Sequence, residues 1–213
     1  FVNKRIFITG HTGFKGSWLS YILDGNKSIV KGYSLSPDTN PSLFNQLKFS
    51  NNFSSIIADI NNFDKLKKEI VDFNPDIIFH LAAQPIVIES YNHPKYTFDT
   101  NFTGTLNLLE ILRQIDRQCV CLFITTDKVY ANAEKKQSFN EDDRLGGDDP
   151  YSASKAASEI LINSYSKSYF SKSNVSIASV RAGNVIGGGD WSENRLIPDL
   201  VRSILKKKAP LIR

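Results

Sequence analysis

The 213-residue chain is 41% hydrophobic and 23% charged, enough apolar material for one sizeable core and an ordinary charge content for a globular domain. Its net charge of +4 is scattered, and the one basic run, Lys206 to Lys208, reads as a solvated helix end, which argues against a nucleic-acid binder. No apolar run approaches the ~20 residues of a membrane span, and residues 1–10 read as a strand and turn rather than a leader, so a cytoplasmic protein with no membrane partner is expected.

Apolar, β-branched stretches alternate with stretches of helical spacing. Strands are expected at residues 4–9, 28–35, 54–59, 75–83, 119–126 and 175–187, and helices at 15–24, 63–73, 94–115 and 152–169. In the second helix Leu66, Ile70 and Phe73 share a face; in the third, Leu106, Leu109 and Ile111 or Leu112 are assigned to the buried side. Cys119 and Cys121 face the same way in their strand, offer no metal-ligand pattern, and read as reduced core thiols. The alternation predicts an α/β fold: a Rossmann-type doubly wound parallel sheet with helices on both faces. Ligands of such sheets bind at the carboxyl ends of the strands. After Gly187 a glycine-rich run leads to a helix from about Asn194. The chain is therefore divided into a Rossmann domain, residues 1–187, and the start of a C-terminal substrate-binding lobe, residues 188–213. The absence of methionine and the end at Arg213 lead us to expect a piece of a longer chain.

The first strand runs into "TGHTGFKG", with Gly10, Gly13 and Gly16 three residues apart. At a strand–helix junction such glycines allow a tight turn, close approach of a pyrophosphate and close helix packing, and the helix N-terminus favours the anion. The acidic residue expected after the second strand is absent from "GYSLSPD". Ser34 is placed to bond a ribose hydroxyl there, and Asp38 stands further along than such a residue should. With no arginine for a 2′-phosphate, NAD is expected over NADP. Asp59, ending the third strand, is assigned to the adenine amino group, with a turn cap as its alternative.

"PYSASK" sets Tyr151 four residues before Lys155, one helical turn apart on one face. A neighbouring ammonium is expected to lower the phenol from its ordinary value near 10, making a base for a sugar hydroxyl. Thr126, at the end of the strand "CVCLFITT", supplies a hydroxyl to orient the same oxygen, and Asp127 and Lys128 follow it directly.

The glycine turn, "HLAAQ", the strand-end threonine and Tyr-x-x-x-Lys together resemble the extended short-chain dehydrogenase/reductase superfamily, over the whole chain. Within it "GHTGFKGSWLS", "GYSLSPDTNPSLF", "HLAAQPIV", "TTDKVY", "LGGDDPYSASK" and "RAGNVIGGGDW" are similar to the CDP-glucose 4,6-dehydratase branch. The resemblance implies an NAD-dependent intramolecular redox dehydration of CDP-glucose to its 4-keto-6-deoxy product, used for bacterial O-antigen and other surface polysaccharides. It implies that Tyr151 takes the C4 hydroxyl proton and that Asp127 is the acid at the C6 oxygen. Lys128 stands where dehydratases of dTDP-glucose carry a glutamate base, and reads as a base if deprotonated by burial or nearby charge, or as a stabiliser of the enolate. By the same resemblance Phe14, Lys15, Ile60, Leu81, Ala82, Ala83, Gln84 and Thr125 join the cofactor set, and Asn184 and Arg195 are assigned to the nucleotide-sugar phosphates. His80 reads as a core residue, and His11 as a residue set by loop geometry. A homodimer through a four-helix bundle is also implied. A nucleotide-sugar 4-epimerase, a dehydratase for dTDP-glucose or GDP-mannose, and a non-catalytic NAD sensor remain the alternatives.

Overall fold

The structure, a computed structural model, describes residues 1–131 and 138–210. Its sheet contains β1 (Arg5–Thr9), β2 (Ile29–Ser34), β3 (Phe53–Ile57), β4 (Ile77–His80), β5 (Cys119–Thr126) and β6 (Val175–Ala182). All pairings are parallel, in the order β3-β2-β1-β4-β5-β6. The chain reverses its direction of travel across the sheet between β1 and β4, so a crevice opens beyond their carboxyl ends. The Rossmann-type sheet expected from the sequence is therefore present, with trimmed strand ends. β3 stops before Asp59 because the last ladder-side bond is from the Ala58 nitrogen to the Ser34 oxygen, 2.8 Å. β6 stops at Ala182, opposite Thr126, the last residue of its only partner, so "GNVIG" is loop and not strand.

One face of the sheet carries α3 (Phe63–Phe73), α6 (Gly104–Leu112) and α7 (Pro150–Tyr165). Leu66, Ile70 and Phe73, the face expected from their spacing, join Leu108, Leu109, Ile111, Leu112 and Ile162 against Phe7, Ile78, Cys121 and Phe123. The other face is covered by α1 (Phe14–Gly25), whose Leu19 and Leu23 pack on Ile6, Ile8 and Val30. Beyond α1, on that face, Val120 of β5 and Val180 of β6 are 42% and 41% exposed.

The single helix expected at 94–115 is α5 (Pro94–Phe98), a π-helical turn at Asp99–Thr103, and α6, and it ends at Leu112. Its inward stripe runs through Asn101, Thr105, Leu108, Leu109 and Leu112. Leu106 lies beside this stripe and is only half-buried, because the inward place in its turn is taken by Thr105. α7 begins two residues earlier than expected: Pro150 occupies the first turn and the Asp149 carboxylate accepts from the Ser152 nitrogen at 2.9 Å. It passes into a π-helical turn at Ser166–Phe170. The short helices α2 (Leu43–Gln46) and α4 (Val87–Asn92) were not anticipated. Both are under two turns long, too short for periodicity to show. The last helix, α8 (Leu196–Leu205), starts two residues after Asn194 and leaves Leu196, Ile204 and Leu205 largely exposed. Residues 211–213 of the expected lobe lie outside the described residues. Among the described residues no helix is long and apolar enough to cross a membrane.

Candidate active site

β1 delivers the chain to Gly10 at φ +76°, the left-handed region that glycine tolerates. A Cβ there would lie 2.7 Å from the Ala82 nitrogen, and one on Gly16 would lie 2.0 Å from the Gly10 oxygen. The turn is thus wedged between β4 and the start of α1. That helix has no side-chain N-cap, so its first N–H groups remain available to an anion.

A cavity of about 400 Å³ opens at this point. Every residue expected to hold a dinucleotide lines it: the turn residues Gly10, Gly13, Phe14, Lys15 and Gly16; Ser34, Asp59 and Ile60 from the β2 and β3 ends; Leu81 to Gln84 after β4; and Thr125, Tyr151 and Lys155. The glycine cradle, the uncapped helix start and the ring of strand ends suit a dinucleotide diphosphate with a nucleoside on either side. Asp38, expected to be too far along, lines the cavity too, because the loop after β2 folds back over it. Asp59 also caps a turn, accepting from the Asn61 nitrogen at 2.8 Å. The Gln84 side chain is turned into the protein, where its Nε2 donates to Thr97 and its Oε1 accepts from the Ile86 nitrogen.

A second cavity, of about 480 Å³, adjoins the first and shares Phe14, Lys15, Thr125, Tyr151 and Arg195 with it. It adds Thr126, Lys128, Asn184 and the apolar start of α8. Lys155 lines only the first cavity and Thr126 only the second, so Tyr151 stands between them. Asp127 lines neither cavity. It is exposed, and its Oδ1 accepts from the Thr126 hydroxyl at 3.1 Å. Lys128 is also exposed.

The expected lowering of the Tyr151 phenol is corrected by the structure. Burial pushes it above 10, and the Thr126 hydroxyl and the Arg195 charge only partly oppose this. Burial and, after it, the Lys15 charge lower the Lys155 ammonium to about 8, against the opposing charge of Glu159. Burial and the Arg195 charge likewise lower Lys15. Arg195 reaches one carboxylate, Asp190, at 4.0 Å. Three cations thus converge where the cavities meet. His80 is a buried imidazole held at about 3, between the Thr9 and Thr105 hydroxyls at 2.8 and 3.3 Å. His11 is more than a loop residue. Its side chain is buried against Gly32 and Phe44, and Nε2 bonds the Ser55 hydroxyl at 2.7 Å.

Two buried networks behind the site were missed. Asn101 accepts from the Gln84 nitrogen at 2.9 Å and donates to the Gln84 oxygen and to Ser154, tying the loop after β4 to α7. An asparagine inside an apolar helix was the available signal. Glu159 accepts from Thr125, from Ser179 at 2.9 Å and from Arg181 at 2.9 Å. Its place one turn after Lys155 was the signal there.

A six-stranded parallel sheet of this order, with a glycine turn at β1 and Tyr151 and Lys155 at the mouth of the crevice, is that of an extended short-chain dehydrogenase/reductase. Residues 7–213 match the model of the GDP-mannose 4,6 dehydratase family, and the chain belongs to that family. It is 47% identical over 215 residues to the CDP-glucose 4,6-dehydratase of Salmonella typhimurium, covering 99% of this chain and 60% of that protein. Among solved structures it is similar to a dTDP-glucose 4,6-dehydratase from Bacillus anthracis in complex with NAD, with TM-score 0.81 and 25% identity over 96% of this chain and 62% of the other. It is similar also to a UDP-N-acetylglucosamine 4-epimerase from Methanobrevibacter ruminantium, with TM-score 0.83 and 25% identity over 100% of this chain and 66% of the other.

Proposed function

We propose that the chain is the NAD-binding part, residues 1–187, and the opening of the substrate lobe of a CDP-glucose 4,6-dehydratase that serves deoxysugar synthesis for bacterial surface polysaccharides in the cytoplasm. The observation that carries this reading is the position of Tyr151 on the wall shared by two cavities, with Lys155 on one side and Thr126 on the other. The 47% identity to the Salmonella enzyme supports the choice of sugar nucleotide. When bound, NAD⁺ supplies a reversible hydride store, so the cycle ends without net oxidation. Tyr151 takes the proton from the C4 hydroxyl and Thr126 orients that oxygen. Lys15, Arg195 and Asn184 hold the phosphates of the nucleotide sugar, for which the converging cations are suited. Lys128 acts at C5, either taking the C5 proton itself or steadying the developing enolate. Asp127 protonates the departing C6 hydroxyl.

A second reading, a 4-epimerase, is favoured by one observation: Asp127 lines neither cavity, and an epimerase needs no acid at C6. Incubation of the full-length protein with NAD⁺ and, separately, CDP-glucose, dTDP-glucose, UDP-glucose and GDP-mannose separates the two by mass spectrometry. Water loss confined to CDP-glucose is expected. Conversion without water loss would establish the epimerase, and bound NAD without turnover of any sugar would indicate a sensor. The long helix and α7 leave Tyr96, Phe98 and Ile160 exposed, which supports a homodimer through a four-helix bundle, to be checked by sedimentation.

A further inference from the structure

Asp127 and Lys128 sit on one short turn, Asp127–Val129, directly after β5. Its own bonds are long: the Tyr130 nitrogen donates to the Asp127 oxygen at 3.3 Å, and the Lys128 nitrogen to the Thr126 hydroxyl at 3.3 Å. Asp127 and Lys128 are exposed on its outer side, while Val129 and Tyr130 are buried behind it with Ala156 and Leu145. Apolar packing of this kind fixes the depth of the turn but is not directional. Direction comes from Arg181. Its guanidinium donates to the Tyr130 hydroxyl at 3.0 Å, to the Glu141 carbonyl at 3.2 Å and to the Glu159 carboxylate at 2.9 Å. It also lies 4.9 Å from the centre of the Tyr130 ring, on which Phe139 stacks at 4.7 Å. Glu159 in turn accepts from Thr125, which lines both cavities. A continuous run of hydrogen bonds, Thr125 to Glu159 to Arg181 to Tyr130, therefore joins the shared wall to the turn.

We infer that Arg181 is a positioning residue for the elimination of water: by joining Glu159 to Tyr130 it sets the turn that carries Asp127 and Lys128 against the wall that carries Tyr151. Arg181 lines neither cavity, so it acts only through these neighbours. C4, C5 and C6 belong to one hexose, so the groups that serve C4 and those that serve C5 and C6 must keep one separation. A displacement of about 1 Å can cost about 10²-fold in rate. Oxidation at C4 draws on Tyr151, Lys155 and Thr126, which stand on α7 and β5 and not on the turn. Loosening the turn should therefore slow elimination and spare oxidation. The inference rests on the dehydratase reading above.

Two sugars separate the two halves on the full-length protein with NAD⁺. CDP-glucose reports both, through water loss. CDP-6-deoxyglucose has no C6 hydroxyl to lose, so it reports oxidation at C4 alone, through the absorbance of the reduced nicotinamide. Arg181→Lys keeps a cation beside Glu159 but loses the planar fork that also reaches Tyr130 and Glu141. Tyr130→Phe keeps the ring and loses only the hydroxyl. Arg181→Lys should lower the rate of water loss by about 10–10² and Tyr130→Phe by about fivefold, while both oxidise the 6-deoxy sugar as the unaltered protein does. Equal falls on the two sugars would make Arg181 a merely structural residue and overturn the inference, as would water loss unchanged in both variants. If Arg181→Lys does not fold, Tyr130→Phe decides alone. If the unaltered protein releases no water from CDP-glucose, the dehydratase reading itself fails and this inference falls with it.

Discussion

The two cavities share Phe14, Lys15, Pro85, Ile86, Thr125, Tyr151 and Arg195, yet they are made of different material. The first is walled by strand ends and by a turn whose backbone is in contact on both sides, at Ala82 and at Gly16. The second is walled by the loop after β6 and by α8, where Asn184, Gly187 and Gly188 are exposed. The bonds that hold that loop include Trp18 Nε1 to the Gly188 oxygen at 2.9 Å and Arg202 to the Trp191 and Ser192 oxygens at 2.8 Å. A hydride store must meet its partner in a fixed geometry, and the rigid cavity suits that need. A substrate must enter and leave, and a lightly tethered wall allows it.

The largest expected effect lies on the shared wall. Tyr151→Phe removes the phenol proposed to take the C4 proton while keeping the ring, and kcat on CDP-glucose should fall by about 10²–10⁴. Lys128→Gln, at the rim of the second cavity, should cost less, about 10–10² by loss of one exposed charge. Both are read from steady-state water loss. If the two variants fall equally, the wall and the rim are not distinct in function.

A second, smaller contrast sets one glycine of each cavity against the other. Gly16→Ala would drive a methyl to within 2.0 Å of the Gly10 oxygen, a backbone atom that cannot step aside, whereas a methyl on Gly188 meets nothing within 4 Å. Gly16→Ala should cost about 1–3 kcal/mol of stability and weaken NAD⁺ binding, and Gly188→Ala should leave the melting temperature within about 0.5 kcal/mol equivalent. A melt and a dinucleotide titration of both variants decide it. Equal effects would mean that the loop is as firmly packed as the turn.

The same contrast governs what the sequence made legible. The glycine turn, the strand-end pair Thr125 and Thr126, and the Tyr151–Lys155 spacing are local patterns, each written in a few consecutive residues. The parallel sheet follows from β-strands alternating with helices, so the fold class was legible too. Asn101 and Glu159 were not, since their partners lie at Gln84 and Ser154 for one and at Thr125, Ser179 and Arg181 for the other. No local pattern reports a bond across 17 or more residues. The rise of the Tyr151 phenol was missed for a related reason: spacing shows the nearby ammonium, while desolvation is a property of the assembled core.

The smallest expected effect is also electrostatic and sits on the shared wall. Lys155 is held at about 8 by burial and by Lys15. The unfolded chain has the ordinary lysine value, so between about pH 8 and 10.5 it binds a proton that the folded chain has released. Stability contributed by this site therefore rises through that window, and below it the buried charge is a constant cost. Activity should run the other way. A charged Lys155 is needed to steady the Tyr151 phenolate, so turnover should decline above about pH 8. Lys15→Gln removes one of the two causes and should move that alkaline limb up by about 0.5–1 pH unit while burial keeps it below the free-lysine value. A pH profile of kcat for both proteins gives the answer. A limb that stays put would assign the low value of Lys155 to burial alone and make Lys15 a phosphate ligand with no hand in tuning the base; a limb that moves would show the phosphate turn setting the proton chemistry across the wall.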